Sequence, residues 1–367
     1  MSPAVAAAPK CLVAVIGVGL VGTEFVNQIL THLPSFVKIV ALSSSKTWLN
    51  SSNADLTPAN WRSALSTSGI KPDLNTLLSQ LSEKAKQGHK VVVVDNTSSD
   101  AVAALYPQFL KEGLNVITPN KRAFSADQSL YREIVESSQL SGARFLNEST
   151  VGAGLPVIST LKDLVATGDK VKKVEGVFSG TMSYIFNNFS TSQAGGPSFS
   201  SVVTIAREKG YTEPHPADDL NGADVARKVT ILSRCIPALA SGLPRGYKDV
   251  NTTSLVPSQL AEITSGDEFI ARLPEFDNHF ASMRKTAHDK QKVIRYVGVV
   301  DVDKGEMKAS VENYPFDHPF ATALGGSDNI FMFHTERYGA RPLIVQGAGA
   351  GAAVTAMGVL SDLLKLL

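Results

Sequence analysis

A glycine-rich turn between an apolar strand and a helix constrains the fold of this chain more than any other feature. Leu12 to Ile16 is apolar, a helical pattern continues to Leu30, and between them lies Gly17-Val18-Gly19-Leu20-Val21-Gly22. The first glycine of such a turn permits a tight bend, the second lets a phosphate approach the backbone, and the third lets helix pack on strand. The free N–H groups at the helix N-terminus attract anions. The pattern predicts a dinucleotide-binding turn; the alternative is a glycine-rich turn in an unrelated α/β domain.

The first 150 residues alternate apolar runs with helical patterns. A regular alternation of this kind predicts an α/β fold with a parallel, Rossmann-type sheet. The predicted strands are Leu12 to Ile16, Val37 to Leu42, Val91 to Val94, Leu114 to Ile117 and Ala143 to Leu146. The predicted helices include Leu74 to Ala85 and Ala126 to Gln139.

Beyond Leu155 the pattern changes, which predicts an α+β domain with a mostly antiparallel sheet. Pro237 to Pro257 is rich in proline, glycine and serine and is interpreted as a surface connection. The predicted helices are Pro156 to Val165, Met182 to Phe189, Val202 to Lys209, Asp219 to Ile236 and the C-terminal Ala352 to Leu366. The predicted strands are Lys292 to Val300, Met307 to Glu312, Ile330 to Thr335 and Leu343 to Val345. We therefore expect a nucleotide-binding domain over 1–155, completed by 346–367, and a catalytic and dimerisation domain over 156–345.

Composition argues against several classes of protein. The formal net charge of +1 over 367 residues gives no field that would attract nucleic acid or an anionic membrane. No apolar run approaches the ~20 residues of a membrane span, and Met1 to Lys10 lacks the features of a secretory or mitochondrial signal. Cys11 and Cys235 form no Cys-x-x-Cys pair. A reducing, cytoplasmic location is the expectation.

The end of the second predicted strand bears on which dinucleotide binds. A carboxylate there would accept a hydrogen bond from the ribose 2′-OH of NAD, but the chain continues Ser43-Ser44-Ser45-Lys46. Hydroxyls and a lysine suit a 2′-phosphate instead. The sequence thus favours NADP over NAD; the alternative is that these residues are only a solvated loop.

Two further loops follow predicted strand ends, where ligands bind in open parallel sheets. They are Asp95-Asn96-Thr97-Ser98-Ser99 and Thr118-Pro119-Asn120-Lys121. Helix capping accounts for Ser98 or Ser99, but it does not account for a lysine at the edge of a sheet. Lys121 is therefore a candidate site residue.

The densest group of candidate catalytic residues lies between Gly210 and Lys228. Two prolines hold Glu213 in an extended loop, and we expect Asp218 or Asp219 to cap the next helix. Asp224 and Lys228 are four residues apart on one helix face, beside an apolar stripe. The alternative is an exposed ion pair. At the edge of a core, however, a lysine can give a proton to an alkoxide, an aspartate can orient it, and Glu213 and Asp219 can receive an ammonium group.

With these motifs the chain resembles the homoserine dehydrogenases, most closely the monofunctional fungal type, from about Leu12 to the C-terminal helix. The matching motifs include the two loops above, the 210–228 stretch, Thr150-Val151-Gly152-Ala153-Gly154-Leu155-Pro156, Phe178-Ser179-Gly180-Thr181 and Gly347-Ala348-Gly349-Ala350-Gly351. The resemblance implies a homodimer that reversibly reduces L-aspartate 4-semialdehyde to L-homoserine with NAD(P)H. That reaction belongs to threonine, methionine and isoleucine synthesis.

The resemblance also implies roles for individual residues. Lys228 is the general acid/base, Asp224 orients it, and Glu213 and Asp219 bind the substrate ammonium. Substrate contacts are also implied for Gly180, Thr181 and Lys121, and cofactor contacts for Gly17, Val18, Gly19, Leu20, Val21, Gly22, Thr97, Ser98, Lys121, Gly210 and Gly349.

A monovalent cation, Na⁺ or K⁺, is implied by the same resemblance. Its ligands would be the main-chain carbonyls of Glu148, Val151, Ala153 and Leu155, with Gly152 and Gly154 helping the loop to turn. Without the resemblance, those glycines would be interpreted as a domain hinge. Two other functions stay open on the residues alone: another NAD(P)-dependent amino-acid dehydrogenase, and a dinucleotide-binding sensor without chemistry.

Overall fold

The computed structural model describes residues 11–50 and 55–367. The interpretation of Met1 to Lys10 lies outside them. The chain forms two compact units: the first contains the described residues up to Gly154 together with Ala350–Leu367, and the second is Leu155–Gly349. Within the described residues, no helix has the length and apolar character that crossing a membrane requires.

The first unit contains a six-stranded sheet in the order β3-β2-β1-β4-β5-β6. All neighbouring strands are parallel except β2 and β3, which are antiparallel. The elements are β1 (Cys11–Ile16), α1 (Leu20–His32), β2 (Val37–Ser43), β3 (Trp48–Asn50), α2 (Trp61–Thr67), α3 (Leu74–Lys86), β4 (Lys90–Asp95), α4 (Asp100–Ala103), α5 (Tyr106–Lys111), β5 (Asn115–Ile117), α6 (Arg122–Ser125), α7 (Gln128–Ser141) and β6 (Phe145–Leu146).

The second unit contains a six-stranded sheet in the order β12-β11-β7-β9-β10-β8. Its neighbouring strands are antiparallel except the short pair β8 and β10. The elements are α8 (Ile158–Ala166), β7 (Val171–Val177), α9 (Gly180–Phe189), α10 (Phe199–Glu208), α11 (Ala217–Leu220), α12 (Ala223–Arg234), β8 (Asn251–Thr252), α13 (Gly266–Arg272), α14 (Asp277–His288), β9 (Lys292–Asp301), β10 (Glu306–Pro315), α15 (Pro319–Thr322), β11 (Asp328–Thr335) and β12 (Leu343–Ala348).

The core of the first unit includes the last helix of the chain, α16 (Ala352–Leu364). Ala356, Val359 and Leu363 are fully buried against the apolar faces of β1, β4 and α1. At its C-terminal end, the Leu366 carbonyl accepts a hydrogen bond from Lys90. The predicted fold class, a Rossmann-type parallel sheet plus an α+β part with a mostly antiparallel sheet, is confirmed.

Two sequence predictions for the second unit are wrong. The helix predicted over Asp219 to Ile236 is two helices, α11 and α12, because Gly222 between them has φ +78° and ends the first one. The stretch Pro237 to Pro257 is not wholly a surface connection, since it supplies β8 and buries the side chains of Leu243, Val250 and Leu255.

Candidate active site

A backbone carbonyl and a carboxylate fix the direction of Lys228 in the second unit. Its Nζ donates to the Phe178 carbonyl oxygen at 2.7 Å and lies 2.8 Å from Asp224 Oδ2. Lys228 is only 6% exposed, so it does not belong to an exposed surface ion pair. A buried ammonium requires such partners because desolvation penalises its charge.

The Phe178 carbonyl is held in place by the packing of its own ring. That ring is fully buried, stacks on Phe331 with centroids 4.6 Å apart, and lies over Gly176 of β7 and Gly298 of the neighbouring β9. A Cβ on either glycine would overlap the ring. The two glycines therefore leave room for the Phe178 ring. With the ring in that position, the Phe178 carbonyl, directly after β7, reaches the lysine.

Asp219 does not cap α12, and neither does Asp218, contrary to the expectation from sequence. Both lie within α11, and α12 begins after Gly222 without any side-chain cap. The Asp219 carboxylate instead accepts a hydrogen bond from the Glu213 backbone N–H at 2.8 Å on Oδ2, and its Oδ1 lies 2.8 Å from Thr181 Oγ1. This carboxylate therefore joins the Glu213 loop to α9.

The 213–228 stretch carries an excess of negative charge. Glu213, Asp219 and Asp224 lie near one another, and Lys228 is paired with Asp224. Burial, followed by the charges of Glu213 and Asp224, raises the pKa of Asp219 to about 6, although hydrogen bonds from the Glu213 backbone and Thr181 oppose the rise. An ammonium group placed here would relieve the repulsion between the carboxylates.

Other positions implied by the resemblance lie close to this carboxylate cluster. Gly180 and Thr181 form the first turn of α9, whose N-cap is the Ser179 side chain. Gly210 follows α10 with φ +71°, and the next residue, Tyr211, accepts a hydrogen bond from Thr181 through its carbonyl.

Gly349 lies at the end of the sheet against a buried asparagine that the sequence reasoning missed. Asn329 is 0% exposed, and among the residues that the structure describes neither atom of its side-chain amide has a hydrogen-bond partner. A Cβ on Gly349 would overlap that amide. An unsatisfied buried amide costs about 1–3 kcal/mol, so Asn329 is a candidate site residue. Asn329 is the second residue of β11, just before the apolar run at Ile330, and no sequence pattern marks it.

In the first unit, the glycine-rich turn has the geometry that a dinucleotide requires. Gly17 has φ +86°, and a Cβ on Gly22 would overlap the Gly17 carbonyl. Gly19 precedes α1, is exposed, and has nothing within 4 Å of the position of a Cβ. Val18 and Val21 are partly buried against the core, while Leu20 is 83% exposed. A phosphate can therefore approach the N-terminus of α1.

A buried carboxylate ties together the two loops at the ends of β4 and β5. Asp95 is 0% exposed and accepts hydrogen bonds from the Thr97 backbone N–H at 2.8 Å, the Asn120 side chain at 3.0 Å and the Tyr106 hydroxyl. Ser99 caps α4 by accepting from the Val102 N–H, which confirms the predicted cap.

Those two loops also contain candidate cofactor contacts. Ser98 is exposed and Thr97 is half-buried. Lys121 stands at the N-cap position of α6, half-buried, and its side chain does not cap that helix.

Asn96 is a second residue whose role was missed, although it lies in a loop that the sequence singled out. Both atoms of its side-chain amide are buried without a hydrogen-bond partner, beside Gly17 and Gly22 of the glycine-rich turn. A dinucleotide offers hydroxyl and phosphate groups that would satisfy such an amide. The residues of the first unit therefore fit a dinucleotide.

The loop after β2 has a specific local structure. Ser43 is buried, and Ser44 Oγ accepts hydrogen bonds from the backbone N–H groups of Lys46 at 3.1 Å and Thr47 at 2.9 Å. Lys46 and Ser45 are exposed. This turn explains the serine at position 44 without a ligand and leaves the lysine at the surface.

Comparison with known proteins decides the family. The family model described as homoserine dehydrogenase matches residues 156–364, and the model of the homoserine dehydrogenase NAD binding domain matches 17–148. The chain is 48% identical to the homoserine dehydrogenase of Emericella nidulans over 96% of this chain and 97% of that protein. It is 45% identical to the enzyme of Schizosaccharomyces pombe over 97% and 95% of the two chains. The chain belongs to the homoserine dehydrogenase family.

A solved structure extends this comparison to the fold. A Candida auris protein of unknown function is 42% identical, covers 97% of this chain and 98% of its own, and superposes with a TM-score of 0.90. The resemblance to monofunctional fungal homoserine dehydrogenases is thus confirmed, and so is an NAD(P)-dependent oxidoreductase of amino-acid biosynthesis. An unrelated amino-acid dehydrogenase and a sensor without chemistry are set aside.

The segment from Glu148 to Leu155, for which the sequence resemblance implies a cation site, has an unusual backbone conformation. Gly152 has φ +77° and Ala153 has φ +54°, so a residue with a Cβ adopts the left-handed conformation directly after a glycine. Such a residue is uncommon and costs free energy. Among residues 11–50 and 55–367, no three His, Cys, Asp or Glu side chains gather as a metal site would need, so a cation here would rely on carbonyls.

Proposed function

We propose that this chain catalyses the reversible reduction of L-aspartate 4-semialdehyde to L-homoserine, with Lys228 as the proton donor. When bound, NAD(P)H supplies the hydride for the aldehyde carbon. The observation that carries the proposal is the buried Lys228 ammonium, which the Phe178 carbonyl and Asp224 hold in one direction, while Asp224 and Glu213 both act on the charge of Asp219.

The carboxylates of the second unit bind and orient the substrate. Glu213 and Asp219 receive its ammonium group, which their excess negative charge favours. Gly180 and Thr181 present the first turn of α9, whose N–H groups favour a carboxylate. These contacts hold the aldehyde so that Lys228 gives a proton to the oxygen as negative charge develops there. Asp224 holds the Lys228 ammonium in this direction and balances its positive charge.

The first unit binds the dinucleotide. The turn Gly17-Val18-Gly19-Leu20-Val21-Gly22 accommodates the pyrophosphate, and Thr97 and Ser98 add polar contacts from the β4 loop. From the family resemblance we assign cofactor contacts to Gly210 and Gly349, and a position near both nicotinamide and substrate to Lys121. The absence of a carboxylate in Ser43-Ser44-Ser45-Lys46 supports NADP as the preferred cofactor.

We also propose that a monovalent cation binds the segment in which the chain leaves the first unit. Na⁺ or K⁺ would bind the carbonyls of Glu148, Val151, Ala153 and Leu155. The consecutive left-handed residues Gly152 and Ala153 support this, because they bend the backbone sharply, and neighbouring carbonyls that share one ion need such a bend.

We propose a cytoplasmic homodimer that uses the second sheet. Its edge strand β12 has only one neighbour, and Ile344 on that strand is 41% exposed. An exposed edge of this kind pairs readily with another chain. Sedimentation equilibrium should give the mass of two chains, and Ile344→Asp should shift the equilibrium toward one.

The test of the function is NADPH oxidation with L-aspartate 4-semialdehyde, followed by identification of homoserine. Lys228→Ala should lower kcat by ~10²-fold or more with little change in cofactor affinity. The matched control is Lys285→Ala, since Lys285 and Asp289 form an i,i+4 pair at 2.6 Å that is fully at the surface. Near-wild-type kcat in Lys228→Ala would remove that lysine from the mechanism, and no homoserine from the wild type would remove the activity.

A further inference from the structure

The hydroxyl of Thr181 lies within hydrogen-bond distance of two acceptors. Its Oγ1 is 2.6 Å from the Tyr211 carbonyl oxygen and 2.8 Å from Asp219 Oδ1. A threonine hydroxyl has one hydrogen, so it either shares that hydrogen between the two acceptors or donates it fully to one of them. A full hydrogen bond at both contacts needs a second hydrogen.

The group that can supply a second hydrogen is the carboxyl of Asp219. A carbonyl oxygen cannot supply it. If Asp219 is protonated on Oδ1, it donates to Thr181 Oγ1, and Thr181 donates to the Tyr211 carbonyl. Oδ2 then accepts from the Glu213 backbone N–H, as observed at 2.8 Å. A single proton therefore satisfies all three contacts.

The charged groups around Asp219 favour that proton. The helix α11 packs on α9 and α12, and α9 contains no Asp, Glu, Lys, Arg or His. The helix α12 brings Asp224 with its partner Lys228, the preceding loop brings Glu213, and α11 itself carries Asp218. Burial and the neighbouring carboxylates Glu213 and Asp224 place the pKa of Asp219 at about 6.

We propose that the hydrogen on Asp219 occupies the place of the substrate ammonium in the free enzyme, and that substrate binding releases it to solvent. The proposal rests on the proposed function, because an amino-acid substrate brings the ammonium. That group has three hydrogens and a positive charge, so it can donate to Oδ1 in place of the carboxyl hydrogen and stabilise the carboxylate. Protonated Asp219 plus R–NH₃⁺ gives carboxylate, bound R–NH₃⁺ and H⁺, while Thr181 keeps its bond to the Tyr211 carbonyl.

Competition between proton and substrate makes affinity depend on pH in a defined range. Above pH 7 the carboxyl is mostly ionised and the substrate meets no competitor. Below pH 6 each pH unit should weaken binding, so affinity at pH 5 should be about tenfold lower than at pH 8. At pH 6 about half a proton should leave per substrate bound, and at pH 8 almost none.

The experiment is calorimetric titration of L-homoserine into the enzyme saturated with NADPH. This mixture contains the reduced form of both reactants, so no hydride transfer disturbs the heat. Titrations at pH 6 in two buffers of different ionisation enthalpy should give heats that differ by about half that enthalpy difference, and by nearly nothing at pH 8. Equal heats in both buffers at pH 6 would overturn the proposal.

Two neighbouring aspartates give matched variants. Asp219→Asn keeps both contacts, because its Nδ2 can donate to Thr181 and its Oδ1 can accept from the Glu213 N–H, so the fold should persist. It should bind homoserine more weakly, with no proton release at pH 6 and no loss of affinity between pH 8 and pH 5. Asp218→Asn, on the same helix, should release protons like the wild type. Release that persists in Asp219→Asn would assign the proton elsewhere and refute the proposal.

Failure of this proposal can be separated from failure of the proposed function. Turnover of L-aspartate 4-semialdehyde without a buffer-dependent binding heat rejects only the proton on Asp219. Absence of both turnover and homoserine binding rejects the function, and with it the proposal.

Discussion

Gly298→Ala should damage both stability and catalysis, although residue 298 lies inside a strand and away from the carboxylates. The added methyl would lie roughly 1 Å or more inside van der Waals contact with the Phe178 ring, and 3.0 Å from Val229 Cγ2. The ring cannot move aside easily, because it is fully buried and stacks on Phe331. Overpacking of this kind costs about 1–3 kcal/mol. For a unit of this size the melting temperature should fall by about 2–4 °C per kcal/mol.

The catalytic effect follows from the carbonyl of the displaced residue. If the Phe178 backbone shifts by a fraction of an ångström, the lysine that it anchors turns away from the reacting oxygen, and misplacement near 1 Å can cost ~10²-fold. The assay is kcat with NADPH and L-aspartate 4-semialdehyde, together with thermal unfolding.

Two further variants make the reasoning refutable. Gly325→Ala is the control, since a Cβ there has nothing within 4 Å. Phe178→Leu should relieve the overlap, so that its combination with Gly298→Ala costs less than the sum of the two. Wild-type stability and kcat in Gly298→Ala would show that the ring does not position the lysine.

Four other outcomes are expected. NADPH should be preferred over NADH by roughly tenfold in kcat/KM, and Lys46→Ala or high salt should reduce the preference; equal values would refute it. Activity should rise with Na⁺ or K⁺ but not with tetramethylammonium at equal ionic strength. Although burial opposes its charge, hydrogen bonds from His334 and Lys173 lower the pKa of Glu175 to about 2. The ionised Glu175 therefore stabilises the folded protein above about pH 4.5, and this contribution is lost as pH falls toward 2. In Glu175→Gln, the free energy of unfolding measured in urea should fall less steeply over that pH range. Asn329→Leu should raise the melting temperature, since it removes an unsatisfied amide, while lowering activity.

The sequence predicted the parallel sheet well because its strands are buried on both faces. Val91 to Val94 has no polar residue, and such a run has few other interpretations. The strand Val171–Val177 was missed because it contains Lys172, Lys173 and Glu175, and the last of these is buried with two partners, Lys173 on the same strand and His334 on β11. Local pattern cannot anticipate a partner that lies on another strand.

The candidate site shows the same limit. The pairing of Asp224 with Lys228 could be predicted from sequence because residues four apart lie on one face of a helix. The carbonyl of Phe178 carries no signal in its side chain, and its contact with the lysine depends on how β7 meets α12. The role of Asp219 was misassigned as a cap, because Gly222 with positive φ can begin a helix without one.

The position of α16 in the core of the first unit has a consequence for biosynthesis. Its side chains at Ala356, Val359 and Leu363, with Leu366 just beyond it, complete a core whose other buried members lie within the first 120 residues of the chain. A ribosome makes α16 only after it has made the whole of Leu155–Gly349. During translation, part of one apolar face of the Rossmann-type sheet must therefore stay uncovered while the second unit emerges and folds. The dinucleotide-binding part should be the last to reach its native state, and the nascent chain should depend on chaperones over that interval.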